Sequence, residues 1–322
     1  MEHIRRRAII TAKQAGCRLD QAAAELLEGF SRSRLKLWIK GGALTLDGRQ
    51  AEPKTRVREG DKLQLDVELE PVIPVKPQAI PLCVIHEDPV FIVVDKPASL
   101  VVHPGAGNPS GTLQNALLHL DPQFANVPRA GIIHRLDKDT SGLLVVARTL
   151  DAHRVLVKKL ERREIERTYE GVCQSVLTGG GEVNAAIGRH PKDRLRMAVV
   201  DGGRAALTHY RVLKRFRAHT HVRIQLDTGR THQIRVHFAH IRAPLVGDPL
   251  YGARPRLPKS PEPILREQLQ RFQRQALHAR RLVFEHPISG ESHTFESPLP
   301  TDMKRLLEAL QTDLSTATDD GG

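Results

Sequence analysis

One carboxylate in this chain is set where it could do chemistry. In Gly131 to Leu150, which reads GIIHRLDKDTSGLLVVARTL, Asp137 sits between two bases, Arg135 and Lys138. The polar segment is short and apolar residues close on both sides, Gly131-Ile132-Ile133 before it and Leu143 to Ala147 after it. The second run is aliphatic and β-branched and is bounded by Gly142 and Arg148, so it is predicted to be a buried strand. A carboxylate on a turn at the mouth of such a strand is rigidly placed, as a reactive group must be.

Three chemistries are open to Asp137. Asp beside Thr-Ser-Gly is ordinary turn composition. Asp137, Asp139, Ser141 and Gly142 also match the opening of a calcium loop, but the position that should carry a bidentate Glu is Arg148, and the predicted strand leaves no loop and helix. The third reading is a catalytic carboxylate. Other groups are weaker. His232, His237 and His240 have no Cys or carboxylate at ligand spacing and are interleaved with Arg235 and Arg242, so no metal site is expected. Gly105 and Gly107 follow neither GxGxxG nor phosphate-loop spacing. No cofactor motif is present.

Charge gives the partner class. Lys and Arg number 49 against 37 Asp and Glu, a net charge of +12 and a pI near 9.9. Such an excess is the footprint of a nucleic-acid binder. Aromatic residues are only 4%, too few for a stacking platform along a single strand. Cys17, Cys83 and Cys173 form no CxxC pair, which fits a reducing cytoplasm. No apolar run is long enough for a membrane span, and no secretory pattern follows the basic start MEHIRRRAII.

The elements that must hold these residues are read along the chain. Residues 1 to 16 show little pattern. From Cys17, Leu19, Ala22, Ala23, Leu26 and Leu27 recur at helical spacing. Ser31 precedes a second helix to Lys40, with Leu35, Trp38 and Ile39 on its apolar face and Arg32, Arg34, Lys36 and Lys40 largely on the other. Gly41-Gly42 end it; a strand, an Asp47-Gly48 turn and a strand from Lys62 to Val67 follow. Residues 32 to 58 carry eight basic side chains and two acidic ones. Pro71, Pro74, Pro77 and Pro81 then mark an extended spacer and a domain boundary. Beyond it come strand patterns, a helix near Gln114 to Leu120, the Asp137 segment, a basic amphipathic helix and a strand-rich stretch through HVRIQLDTGRTHQIRVHFAH. Residues 252 to 264 read as an exposed excursion, and 311 to 322 as a disordered tail.

HRLDKDTSGLLVVA resembles the catalytic motif of the RluA-type pseudouridine synthases, in which the Asp of HRLD is essential. The INKP-like segment at Asp95-Lys96-Pro97 and the VHPG segment before it, and the Arg167-Thr168-Tyr169 strand start, LDTGRTHQIRVH and PLVGDPLYG after it, are similar to family segments in the same order. SRSRLKLWIKGGALTLDG resembles the S4 RNA-binding domain. The resemblance implies an α+β fold: an S4 (α-L) domain over 17–68, a Pro-rich linker over 69–81, and a synthase domain over 82–310 with a mixed, mainly antiparallel sheet. It implies Asp137 as the catalytic residue, and Arg135, Tyr169 and Arg230 as substrate-binding residues. Arg135 would hold the place of the flipped base, Tyr169 would stack on it, and Arg230 would pair with Asp137. Arg32, Arg34, Lys36 and Lys40 would contact RNA. No cofactor or metal is implied. Within the family the chain is most similar to members acting on large-subunit (23S) ribosomal RNA at the helix 69 stem-loop. The expected partner is that RNA or the pre-ribosomal 50S particle, met by a cytoplasmic monomer. Other 23S sites, transfer RNA, or a non-catalytic S4-type assembly factor are the alternatives.

Overall fold

The structure, a computed structural model, describes residues 2–27, 30, 32–69, 75–105, 107–193, 195–252 and 254–319. It divides into two units, residues 1–74 and 75–322. Among the described residues no helix is long and apolar enough to cross a membrane.

The first unit contains β1 (Glu2–Ile9), α1 (Leu19–Leu26), α2 (Arg32–Gly41), β2 (Leu44–Leu46) and β3 (Lys62–Leu69). The strands form an antiparallel sheet in the order β1-β3-β2. Leu63 and Leu65, alternating on β3, meet Leu19 and Ala23 of α1 and Leu35 and Ile39 of α2 in one core. The expected patternless leader is therefore wrong over residues 2–9. Ile4 and Ala8 do alternate toward the core, but Arg6 interrupts them, and its guanidinium lies 5.1 Å over the Phe30 ring. The expected helix start at Ser31 lies outside the described residues, as does the spacer from 70 to 74. The rest of the spacer is not a bare linker. Asn115 donates to the Lys76 carbonyl at 2.7 Å, Gly111 N–H donates to Gln78 at 2.7 Å, and Val75 and Ile80 pack on the second core.

The second unit runs β4 (Cys83–Glu87), β5 (Phe91–Lys96), α3 (Leu113–Leu120), β6 (Ser141–Ala147), α4 (Leu150–Glu161), β7 (Glu166–Cys173), β8 (Gly181–Asn184), β9 (Ile187–Arg189), β10 (Met197–Val199), β11 (Leu207–Arg215), β12 (Thr220–Leu226), α5 (Gln233–His240), α6 (Pro263–Arg271), β13 (Leu277–Glu285), β14 (Ser292–Glu296) and α7 (Thr301–Asp319). The main sheet is ordered β4-β5-β6-β13-β7-β12-β11-β8, with β14 also on β13. Only the β13–β6 pairing is parallel among these. The mixed, mainly antiparallel sheet matches the expectation.

Both faces of β6 are covered, so Leu143 to Ala147 run apolar without alternating polar residues. All of β6 is buried: Leu144 and Val146 join α3 and α5 on one face, Leu143 and Val145 join α4 on the other. On β7, Tyr169 faces the α5 side and Val172 faces α6 and α7. Two sequence readings fail here. QIRVHFAH, expected within a strand-rich stretch, is the helix α5. Ile234, Val236 and Phe238 mimic a period of two, yet Ile234 and Phe238 pack as a helical i, i+4 pair in one core. The disordered tail is instead the end of α7 as far as Asp319. Asp313, almost fully buried, accepts from Arg217 at 3.2 Å and from the Glu262 N–H at 2.9 Å, which pins that end.

Candidate active site

The segment bearing Asp137 hangs between two glycines that no other residue could replace. A Cβ on Gly131, at φ +78°, would fall 1.8 Å from the Ala147 carbonyl oxygen, and one on Gly142, at φ +113°, would fall 2.3 Å from that of Ala279. Both ends are thus pressed against sheet backbone. Arg129 and Ala130 are also left-handed (φ 54° and 52°), an arrangement that costs non-glycine residues energy and persists only when the surroundings impose it.

Between the glycines the turn is tied down further. Thr140 N–H donates to the Asp137 carbonyl at 3.1 Å, and Gln275 donates to the Thr140 hydroxyl at 2.9 Å. Lys96, fully buried at the end of β5, donates from its ammonium to the carbonyls of Pro97 (2.7 Å), Leu100 (2.9 Å) and Lys138 (2.9 Å). Burial pushes this lysine down to about 7, against the pull of Asp139 and Asp137. In the sequence Asp95-Lys96-Pro97 breaks a strand pattern and resembles a family segment, but neither reading shows the three carbonyls that Lys96 holds.

Asp137 opens into a cleft of about 820 Å³ whose walls also include Arg135, Tyr169, Arg230, His232 and Arg235. All four residues expected at the site are thus brought together. The partner of the carboxylate is not the expected one. Arg235 Nη1 donates to Asp137 Oδ2 at 3.1 Å, while Arg230 donates through Nε to the Ala205 carbonyl at 3.1 Å. The local geometry explains the exchange. Gln233 accepts from the Arg230 N–H and the Thr228 hydroxyl, fixing the 227–230 turn with the Arg230 side chain beside Ala205. The first turns of α5 then present Arg235, five residues on. Burial and the neighbouring cations Arg204 and Arg163 hold Arg230 below the usual arginine range. It belongs to a cationic wall.

Arg235 is itself held by Asp248, through Nε to Oδ2 at 2.7 Å and Nη2 to Oδ1 at 2.8 Å. The Asp248 side chain is wholly buried and also accepts from the Leu250 and Tyr251 N–H groups at 2.9 Å. Burial raises the Asp248 carboxyl, but Arg235 and those N–H groups outweigh it and keep it low. Burial pulls Arg235 down, and the two carboxylates more than reverse it. A cation fixed in this way supplies a permanent positive charge at Asp137. The motif holding Arg235 was visible in the sequence. The signal missed was that a guanidinium amid buried apolar residues must have a carboxylate partner.

Tyr169 is 5% exposed, and burial raises its phenol, with Arg167 opposing and Asp137 adding. Arg135, by contrast, is exposed at the rim. His134, preceding it, accepts the Val145 N–H at 3.3 Å, and burial pushes it down to about 3, so it is a neutral structural group. Among the described residues no three His, Cys, Asp or Glu side chains are placed to hold a metal ion. His237 is occupied by the Thr208 hydroxyl and the Ala185 carbonyl, both at 2.9 Å.

In the first unit, Arg18, Arg32 and Lys36 converge on the fully buried carboxylate of Asp20, at 3.0, 2.9 and 3.3 Å. Burial would raise Asp20, but these cations hold it below the usual range. Arg34 lies over the Trp38 ring at 5.2 Å, and Lys40 is exposed. Arg32 and Lys36 are thus anchored cations rather than freely moving ones.

Comparison with known proteins agrees with both units. Residues 90–240 match the family described as RNA pseudouridylate synthase, and residues 17–63 match the S4 domain. The ribosomal large subunit pseudouridine synthase D of Xanthomonas campestris is 54% identical over 98% of this chain and 95% of its own length. The protein of that name from Pseudomonas aeruginosa is 53% identical over 96% and 97%, and that from Escherichia coli K12 is 50% identical over 97% and 96%. The human RNA pseudouridylate synthase domain containing 4 shares the fold, with a TM-score of 0.56 at 24% identity over 71% of this chain and 93% of that one. With an S4 domain ahead of a sheet that buries an Asp–Arg–Asp chain in a basic cleft, the chain belongs to the RNA pseudouridylate synthase family.

Proposed function

We propose that this protein isomerises uridine to pseudouridine in the RNA of the large ribosomal subunit, at the helix 69 stem-loop, with Asp137 as the catalytic carboxylate. The observation that carries the reading is the chain Asp137–Arg235–Asp248 at the base of an arginine-walled cleft. A factor that only binds RNA has use for the arginines but none for a carboxylate held among them. The relatives' name supports the ribosomal large subunit, and the resemblance noted in the sequence supports helix 69.

The reaction breaks N1–C1′, forms C5–C1′, removes the hydrogen of C5 and returns a proton to N1. No electrons are lost or gained, so the chemistry needs no redox cofactor. The base must leave the stack, which costs a few kcal/mol. Arg135, exposed at the rim, suits the vacated position, and Tyr169 offers a buried aromatic face beside Asp137. To act on the sugar, Asp137 must be ionised; Arg235 favours that form within a desolvated site. Arg230, with Arg163 and Arg204, suits backbone phosphates. In the S4 domain, Arg32, Arg34, Lys36 and Lys40 are the proposed RNA contacts. The substrate is the free RNA or the pre-ribosomal 50S particle, and the working species is a cytoplasmic monomer.

The test is a map of pseudouridines in total RNA from cells lacking the gene, complemented with wild type or Asp137→Asn. Wild type should restore modification in helix 69 and the Asn variant should not, while binding the RNA with unchanged affinity. Restoration by Asp137→Asn would end the catalytic assignment; restoration at another site would end the helix 69 assignment.

A further inference from the structure

Asp137 has two oxygens, and Arg235 engages only one. The other, Oδ1, lies 3.9 Å from Nε2 of His232. His232 lines the cleft at the start of α5 with a left-handed backbone, φ 57° and ψ 22°. Its other ring nitrogen, Nδ1, lies 2.8 Å from the Tyr251 hydroxyl oxygen. That oxygen already accepts the Met197 N–H at 2.8 Å.

The hydrogen-bond chain favours one tautomer. With Met197 as its donor, the Tyr251 hydroxyl can send its own proton to Nδ1, which then accepts. The single proton of a neutral imidazole is left on Nε2, facing Asp137. Burial and Arg235 hold the imidazole below its ordinary range, with Asp137 pulling the other way, so the ring is neutral near pH 7. The charged and titratable groups facing this pair are Arg235 on α5, Asp248 and Tyr251 on the loop after it, Arg135 on the Asp137 segment, Lys96 at the end of β5 and Arg167 and Tyr169 on β7. The Tyr251 ring meets the imidazole edge-to-face at 5.6 Å and carries the Arg235 guanidinium at 5.1 Å. Tyr251 thus braces both groups that address Asp137.

We propose that His232 is a positioning residue acting through Asp137: its Nε2–H, fixed by Tyr251, bonds Oδ1 when the target uridine fills the cleft. The carboxylate is then gripped on both oxygens, each of which keeps one lone-pair direction open to the sugar. A gap of 3.9 Å is too long for a hydrogen bond in the free protein. Contacts of this kind tighten in the substrate complex. The inference rests on the assignment of Asp137 as the catalytic carboxylate.

The left-handed backbone provides a clean separation of stability from chemistry. His232→Gly relieves the strain at φ 57° and removes the N–H donor. Gln can place an N–H near the Nε2 position, whereas the shorter Asn cannot. Single-turnover isomerisation of a large-subunit RNA transcript is measured for His232→Gly, →Asn and →Gln in the full-length protein, with RNA affinity and thermal midpoint alongside. Gly and Asn should slow the chemical step about 10- to 100-fold, as expected for loss of a hydrogen bond to a charged group. Affinity should hold, and the Gly midpoint should be equal or higher. Gln should recover most of the rate. Equal rates for Gln and Asn, or a Gly variant that loses rate only in step with its midpoint, would overturn the proposal. Independently, ¹⁵N imidazole shifts in the free protein should report the proton of His232 on Nε2, and a proton on Nδ1 would also overturn it. Asp137→Asn is the control. If it turns over, the underlying assignment has failed; if it is silent while every His232 variant runs at the wild-type rate, only this inference has.

Discussion

Asp248, without solvent contact, grips Arg235 through Nε and Nη2 and so decides that Nη1 is the nitrogen left for Asp137. The fork of a guanidinium is rigid, so fixing two of its nitrogens fixes the third.

Asp248→Asn removes the charge that holds this fork while keeping its size. The chemical step should fall by about 10- to 100-fold, the range for one hydrogen bond to a charged group, with RNA affinity unchanged. Arg235→Ala is harsher because it strands the buried carboxylate of Asp248 as well as taking the cation from Asp137; breaking such a buried pair costs about 3–5 kcal/mol. Urea denaturation beside single-turnover kinetics reads both. An Arg235→Ala protein as stable as wild type would mean the carboxylates are not desolvated as described.

Arg230→Ala should behave differently, since its side chain faces Arg204 and Arg163 rather than Asp137. The expected result is weaker RNA binding and a log–log salt slope reduced by roughly 0.7–0.9, one phosphate contact. The rate at saturating RNA should be retained. Total loss of that rate would return Arg230 to the role first expected of it.

His219 is fully buried, with neither ring nitrogen hydrogen-bonded among the described residues. Burial, with Arg256, pushes it from 6.5 down to about 4. Between those values the unfolded chain binds a proton that the folded chain refuses, so stability declines as pH falls through this window. Above it both states are neutral, and below it the penalty levels off at about 3 kcal/mol. Denaturation midpoints across that range should fall toward acid, and His219→Phe should flatten the decline. An unchanged profile would exclude His219 as its source.

The first unit is tested by Arg32→Gln with Lys36→Gln. If both anchored cations meet phosphates, the salt slope of RNA binding should drop by roughly 1.4–1.8, twice the single-contact value for RNA strands. Loss of both ion pairs to Asp20 without any change in slope would identify them as structural. The full chain is used, and circular dichroism confirms that the S4 fold survives.

Local pattern found what local physics decides. The β6 run declared itself because it is apolar on both faces and opens at a glycine, and the motif around it brought Asp137, Tyr169, Arg135 and Arg230 to one cleft. What escaped depends on partners far along the chain. Arg235 looked like one polar position in an alternating strand because its reason for being buried, Asp248, lies 13 residues away. Arg6 hid β1, since the ring it stacks on belongs to Phe30. The tail looked solvated because Asp313 reads as polar until Arg217 is placed beside it. Lys96 is the plainest case: its three carbonyl partners include one 42 residues on.

The parallel seam between β6 and β13 sets a schedule. Ser141 pairs with His278, and Gln275 and Arg274 reach back to Thr140 and the Asp139 carbonyl, 135 residues earlier. During synthesis the chain appears from its N-terminus, and domains generally fold as units in that order. The S4 unit can therefore assemble while the Asp137 turn still lacks the strand that closes it. A nascent chain would be able to hold RNA well before it could modify any, and competence would arrive only when the last fifth of the polypeptide has been made.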